Sequence, residues 1–261
     1  MRIIFIRHAE PDYSFDGLTP NGEKEAKALG NRIAKWNVDK FYVSPMGRAQ
    51  ATIAPALSIL NREAITIPWL REYSYRVEKA HGKAGVCWDF IPSDWANNPT
   101  MFTTNDWLNI EPFCQNQEIR DVYFASKNGL DEIIAEYGYI RKGNYFINTK
   151  SPKMKQINST CVDPRTHYGD TLPDSDNGPT IVMVCHFGII CLMLSHLLNI
   201  PFPALAQGTI IPPTGVTVVT SEERWDDEAF FRISQFGDVT HLREASLPIS
   251  SAGSFYHVFQ D

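Results

Sequence analysis

Apolar and polar positions alternate along the chain with two different periods, and the places where the period changes outline its elements. Residues 2–6 (Arg-Ile-Ile-Phe-Ile) are almost continuously apolar, with no Gly or Pro, which predicts a short buried strand. After a loop over 12–17, Thr19 and Pro20 open a helix as N-cap and first helical residue. Ala26, Leu29, Ile33 and Trp36 then keep helical spacing as far as Asn37. Residues 40–44 predict a second strand closed by Pro45. A second helix is predicted over 47–60, with Ala51, Ala54, Leu57 and Ile59 on its buried side, and a short third strand over 64–67. Strand and helix alternating in this order imply an α/β fold on a parallel sheet with right-handed crossovers.

From 73 to 116 the periodicity fades. Asn, Pro and Thr are frequent there, and Trp88, Phe90, Trp95, Phe102, Trp107 and Phe113 are concentrated in the same stretch. A helix is predicted again over 118–137, with Ile119, Val122, Tyr123, Leu130, Ile133 and Ile134 on its apolar face. A hairpin over 139–147 follows, broken by Lys142-Gly143-Asn144. Residues 148–178 are polar and turn-rich. Most of 73–178 therefore reads as an insertion over the sheet rather than a separate globular domain. Its aromatics, with Arg76, Lys79 and Lys83, suit either a lid over a site or a local mini-core.

Residues 180–185 (Thr-Ile-Val-Met-Val-Cys) have the strongest buried-strand character in the chain, and 189–198 form an apolar helix that Pro201 ends. Two alternating strands, 215–220 and 230–234, are joined by an acidic turn, and the tail from 237 shows little pattern. The strand-like start is not a signal peptide, and no stretch of about 18 apolar residues predicts a membrane span.

Composition adds exclusions. Of 261 residues, 43% are hydrophobic and 21% charged, the balance of a soluble globular protein large enough for a sizeable core. A net charge of -6 argues against nucleic acid or an anionic membrane as the main partner. Cys87, Cys114, Cys161, Cys185 and Cys191 contain no C-x-x-C pair, so neither a disulfide framework nor a zinc site follows. A cytoplasmic home is expected, and the apolar end strands are compatible with a homodimer.

Candidate chemistry gathers at strand ends. Arg7 and His8 follow the first strand, Arg48 opens the helix after the second, and His186 follows the 180–185 strand. In a parallel sheet these ends share one edge, where open α/β sheets bind ligands. Two guanidiniums and two imidazoles around one point suit a phosphoryl group, and the backbone amides opening the helix after His186 would add donors. Glu10, Ser44 and Thr19 are secondary candidates, Thr19 as a cap and Ser44 as a strand-end hydrogen bonder. His81, His167, His196, His241 and His257 are expected to be surface or packing residues, and Cys185 a core thiol.

Arg7-His8-Ala9-Glu10, Leu18-Thr19-x-x-Gly22, Ser44-Pro45-x-x-Arg48-Ala49, Leu70-Arg71-Glu72 and Cys185-His186-Phe187-Gly188, in this order, resemble the histidine phosphatase superfamily in its phosphoglycerate mutase-like branch. The resemblance covers 1–72 and 180–200, and the last strands loosely. Tyr73-Ser-Tyr-Arg-Val-Glu replaces the family's small-residue, Glu-Gly-rich stretch. The resemblance implies a three-layer α/β/α fold with a mostly parallel sheet, in one domain over 1–261 with 73–178 as a cap-like insertion over the sheet's C-terminal edge. It implies that His8 is the nucleophile and forms a phosphohistidine. Arg7, Arg48, His186 and the helix opening at Phe187 would hold the substrate, and Glu72 would be the acid and base. No metal or cofactor is expected. The activity implied is a phosphatase acting on a small phosphorylated metabolite, with a mutase-like phosphotransferase and a non-catalytic phosphate-binding module as alternatives.

Overall fold

The computed structural model describes residues 1–78, 84–150, 178–223, 227–254 and 259–260. The sequence readings on Lys79, His81, Lys83, Cys161, His167, His257, most of 148–178 and part of the acidic turn lie outside them.

The first third follows the predicted alternation: β1 (Arg2–Arg7), a two-residue ladder of β2 (Pro11–Asp12) with β3 (Gly17–Leu18), α1 (Pro20–Ile33), β4 (Lys40–Val43), α2 (Gly47–Leu60) and β5 (Ile65–Thr66). Thr19 caps α1 by accepting from the Gly22 N–H at 3.0 Å. α1 ends at Ile33, before the predicted Asn37. The next segment holds a small hairpin, β6 (Arg76–Glu78) with β7 (Ala84–Val86), and a turn of helix, α3 (Pro92–Trp95). Then come α4 (Gln117–Glu136), β8 (Tyr139–Lys142), β9 (Tyr145–Asn148), β10 (Thr180–Cys185), α5 (Phe187–Leu198), α6 (Phe202–Gly208), β11 (Val216–Glu223), β12 (Glu228–Asp238) and a short α7 (Thr240–Glu244). The tail is thus more regular than its sequence suggested.

Eight strands form one sheet in the order β5-β4-β10-β1-β11-β12-β9-β8. β5, β4, β10 and β1 run parallel, whereas β11, β12, β9 and β8 continue the sheet by antiparallel pairing. The hairpin predicted at 139–147 is present, and it does not lie over the sheet. Glu228 and Ala229 pair with Ile147 and Phe146, so it extends the sheet.

The parallel strands are apolar along their length because both faces are covered. In β1, Ile4 and Ile6 meet Leu29 and Ile33 of α1 and Ala49, Ile53 and Ala56 of α2 on one face. Ile3 and Phe5 face the other way, into a core with α4, α5 and α6. Tyr73, Val77, Cys87, Trp107 and Phe113 join that second core, so much of the aromatic segment packs onto the sheet's own helices.

The buried stripe of α2 corrects the sequence reading. Ala54 and Ile59 are exposed, while Arg48, Ala49, Thr52, Ile53 and Ala56 face inward. The polar Arg48 and Thr52 lie on the inner stripe because they serve the sheet edge. The Thr52 hydroxyl accepts from the Ala9 N–H at 2.9 Å and donates to the Arg48 carbonyl at 2.7 Å. Among the described residues no helix is long and apolar enough to cross a membrane.

Candidate active site

Register brings the predicted residues to one edge. Arg7 pairs with Cys185 at the last rung of the β1–β10 ladder, and Val43 pairs with Val184 on the other side of β10. Backbone bonds continue one step further, from His8 N–H to the Cys185 carbonyl and from Ser44 N–H to the Val184 carbonyl, both 2.9 Å. His8, Ser44 and His186 therefore leave three adjacent strands side by side. The His8 and His186 rings lie 5.1 Å apart, tilted by 58°. Arg7, His8, Arg48 and His186 are all buried.

The hydrogen-bond partners define the state of each imidazole. His8 Nδ1 faces the Ala9 carbonyl at 2.7 Å. A carbonyl only accepts, so Nδ1 carries the proton and Nε2 keeps the lone pair. Burial, then the charges of Arg7 and Arg48, lower the His8 pKa to about 3, against the pull of the Ala9 carbonyl. His186 Nε2 lies 2.7 Å from Ser44 Oγ. That oxygen also accepts from the Met46 N–H at 3.3 Å. Burial and the neighbouring His8, Arg48 and Arg7 hold His186 well below the usual imidazole range. Ser44, a strand-end residue by sequence, thus orients the His186 ring through Nε2.

The two guanidiniums are fixed by their outer nitrogens. Arg7 Nη1 donates to the Ile211 carbonyl at 2.7 Å and Nη2 to the Ala252 carbonyl at 2.9 Å. Arg48 Nη1 pairs with Asp16 Oδ1 at 2.5 Å, and Asp16 Oδ2 accepts from the Gly47 N–H at the start of α2, 2.7 Å. Among the described residues, Arg7 Nε, Arg48 Nε and His186 Nδ1 are buried nitrogens without a hydrogen-bond partner. A buried donor left unpaired costs roughly 1–3 kcal/mol, so the two guanidinium nitrogens at one sheet edge call for an acceptor with several oxygens.

Glu72 follows the turn at Pro68–Leu70, between the fully buried Leu70 and Tyr73. The Tyr73 hydroxyl donates to the Ile119 carbonyl at the head of α4, 2.9 Å. α4 approaches this turn closely, because a Cβ at Gly129 would collide with the Trp69 indole. Glu72 Oε1 accepts from its neighbour Tyr73 N–H and from the Gly188 N–H in the first turn of α5, each 2.9 Å. Burial raises the Glu72 pKa, and the charges of Arg7 and Arg48 act against that rise. The amides opening α5 are thus partly taken: the Gly188 donor that sequence offered to a ligand already holds Glu72. Phe187 is buried and meets Trp88 edge-on, with ring centroids 5.4 Å apart.

A second layer carries Glu10 and Glu25. Glu10 accepts from the Thr19 hydroxyl at 2.6 Å, and its N–H donates to Glu25 Oε2 at 2.8 Å. Glu25 is buried, and burial raises its pKa to about 7, against the Glu10 N–H. His196 and His241 are buried packing residues, bonded to Asp131 at 2.9 Å and to Thr214 at 3.0 Å. Cys185 is a buried free thiol. Sequence reasoning missed Asp16 and Thr52, and named Trp88 only among the aromatics suited to a lid or a mini-core. Asp16 falls in the loop read over 12–17, where it adopts φ 53°, but its ion pair crosses 32 residues of chain. A cleft of about 590 Å³ opens at the opposite end of the strands around Arg2 and Thr180 and contains none of these residues.

The family model of the histidine phosphatase superfamily (branch 1) matches residues 3–135. No curated protein matches the chain in sequence. Among solved structures, the mycobacterial glucosyl-3-phosphoglycerate phosphatase is similar at 16% identity and TM-score 0.54, over 90% of this chain and 98% of that one. A phosphoserine phosphatase from Entamoeba histolytica is similar at 18% identity and TM-score 0.54, over 92% and 98%. An α-ribazole phosphatase from Shigella flexneri is similar at 18% identity and TM-score 0.50, over 92% and 97%. These likenesses show a common fold.

Proposed function

Because the chain belongs to branch 1 of the histidine phosphatase superfamily, we propose that it is a phosphomonoesterase acting on a small phosphorylated metabolite, with His8 as the covalent phosphoryl acceptor. The observation that carries this reading is the set of three buried nitrogens without a partner among the described residues, Arg7 Nε, Arg48 Nε and His186 Nδ1, beside an imidazole whose proton is fixed on Nδ1. A phosphoryl group supplies the missing oxygens, and the lone pair of His8 Nε2 supplies the nucleophile.

His8 Nε2 attacks phosphorus and the bond to the ester oxygen breaks. Arg7, Arg48 and His186 oppose the charge spread over the phosphoryl oxygens. Glu72, whose pKa burial raises, gives a proton to the departing alkoxide, releasing an alcohol. The resulting carboxylate takes a proton from water as the water oxygen attacks phosphorus. The nitrogen–phosphorus bond breaks, phosphate leaves, and His8 regains its free Nε2. The arginines provide the positive field, so the reading expects turnover in the presence of chelator. Similar folds among phosphatases support hydrolysis over transfer. The free Cys87, Cys114, Cys185 and Cys191 fit a reducing, cytoplasmic setting.

Phosphate release from a generic phosphomonoester, with and without chelator, by wild type and His8→Ala, tests this reading. Chelator-resistant turnover lost on substitution supports it. Turnover unchanged in His8→Ala contradicts it.

A further inference from the structure

A cleft of about 430 Å³ lies against the candidate phosphate pocket, lined by Trp88, Phe90, Pro92, Trp95, Phe187 and Ile210, among others. Three observations join it to the catalytic residues. Phe187 directly follows His186, and its ring packs edge-on against Trp88. Gly253, on the opposite wall, comes so close to Arg7 that a Cβ there would stand 2.7 Å from Arg7 Nη2. At Gly188, a Cβ would stand 2.6 Å from Trp88 Nε1 and 2.8 Å from Glu72 Oε1. The indole N–H of Trp88 therefore lies beside the carboxyl proposed to protonate the leaving group.

The wall is fixed as well as apolar. Gln207 Nε2 donates to the Trp88 carbonyl and pins the segment to the end of α6. Phe90 packs on Phe113 at 5.5 Å, and Trp95 on Phe102 at 5.5 Å. Among the described residues, Trp88 Nε1 and Ser254 Oγ are buried in the lining without a partner. Small-molecule sites have this composition: mostly aromatic and apolar, with a few placed polar groups, at 300–1,000 Å³. The polar side chains of the lining are few, Asp89, Gln207, Thr209 and Ser254, so a leaving group made only of hydroxyls or charge would lose hydration against the aromatic walls.

Resting on the phosphatase reading above, we propose that this cleft takes the alcohol half of the substrate, and that this half is a flat aromatic or apolar group with an acceptor for Trp88 Nε1. A sugar or an amino acid is the wrong occupant. The chain is thus a phosphatase of aryl-bearing or similarly apolar phosphomonoesters.

Comparing kcat/KM for 2-phenylethyl phosphate and glycerol 1-phosphate tests this. Both are primary alkyl esters with similar intrinsic reactivity. Burying one phenyl group predicts a preference for the phenylethyl ester of about 30-fold in wild type. The ratio falls at least about fivefold in Trp95→Ala and in Trp88→Leu, mainly through KM for the phenylethyl ester. Because the two esters share all the chemistry, general damage to a variant leaves the ratio unchanged. Equal kcat/KM for the two esters in wild type, or a ratio indifferent to both substitutions, overturns the cleft assignment alone. Hydrolysis of neither ester by a folded wild-type protein overturns the phosphatase reading and this assignment with it.

Discussion

Arg7, His8, Ser44 and His186 follow directly on three neighbouring parallel strands, whereas Trp88, Phe90 and Trp95 stand on turns and a four-residue helix beyond a small hairpin. The two regions meet at Phe187, yet they are built by opposite means. The pocket's polar atoms are set by ladder register and by bonds to backbone carbonyls, Asp16 and Ser44, so rotating one side chain breaks a buried hydrogen bond. The cleft's walls are set by ring packing, which tolerates substitution of one aromatic by another. A fold can therefore keep its chemistry while changing the molecule it acts on. The division predicts that substitutions in the pocket cost rate on every substrate, while substitutions in the cleft change which substrate is preferred.

The largest break in that comparison comes from Arg48→Ala. With Arg48 as a proposed ligand of the phosphoryl oxygens, kcat/KM should fall by about 10³-fold for any phosphomonoester. A loss confined to one ester would place Arg48 in substrate selection instead. Trp107→Ala separates packing from selection within the aromatic segment. Trp107 is fully buried, stacked on Phe202 at 5.1 Å and edge-on to Phe113 at 5.0 Å. Urea unfolding should show about 3–5 kcal/mol of lost stability, while Trp95→Ala, which removes a partly exposed ring, loses far less. Similar losses for both would merge the mini-core and the cleft.

Much of this was legible in the sequence, and the exceptions share a cause. β1, α2 and β10 announced themselves because residues next in sequence build them: apolar runs, a Pro and the strand-end cations. The site residues were legible because each follows an element end. The buried stripe of α2 was misread because Arg48 and Thr52 face inward for the site, which an apolar pattern does not anticipate. The antiparallel docking of 139–148 and the Arg48–Asp16 pair depend on partners far away in the chain. In 73–116 the same residue types, Trp and Phe, serve as core at Trp107 and as cleft wall at Trp88, and only tertiary contacts tell them apart.

A smaller effect concerns Glu72. With its carboxyl raised by burial and needed protonated, kcat should fall as pH rises through its pKa. Glu72→Gln should lower kcat by about 10²-fold for alkyl esters and flatten that alkaline fall. His8, with a pKa lowered to about 3, should impose no acid limb until near that pH. An acid limb between pH 5 and 7 that disappears in no Glu72 variant would show that His8 is held differently.

The smallest effect lies behind the pocket, at Glu25. Its folded pKa of about 7 stands above the ordinary 4.5, so the folded state binds the proton more tightly. This stabilisation is fully present below pH 4.5 and is lost as pH rises through 7. At most about 3 kcal/mol follows from the shift. Glu25→Gln should remove that slope from stability measured between pH 5 and 8, and an unchanged slope would assign it to another group.

Covalent phosphorylation of His8 Nε2, as proposed, is open to direct measurement by rapid-quench mass spectrometry of the full chain during turnover, held at alkaline pH to preserve a nitrogen–phosphorus bond. The expected result is one acid-labile phosphoryl group on His8, formed before free alcohol and phosphate reach equal amounts, and absent from His8→Ala. Sustained turnover with no adduct at His8, or the same adduct in His8→Ala, would contradict it.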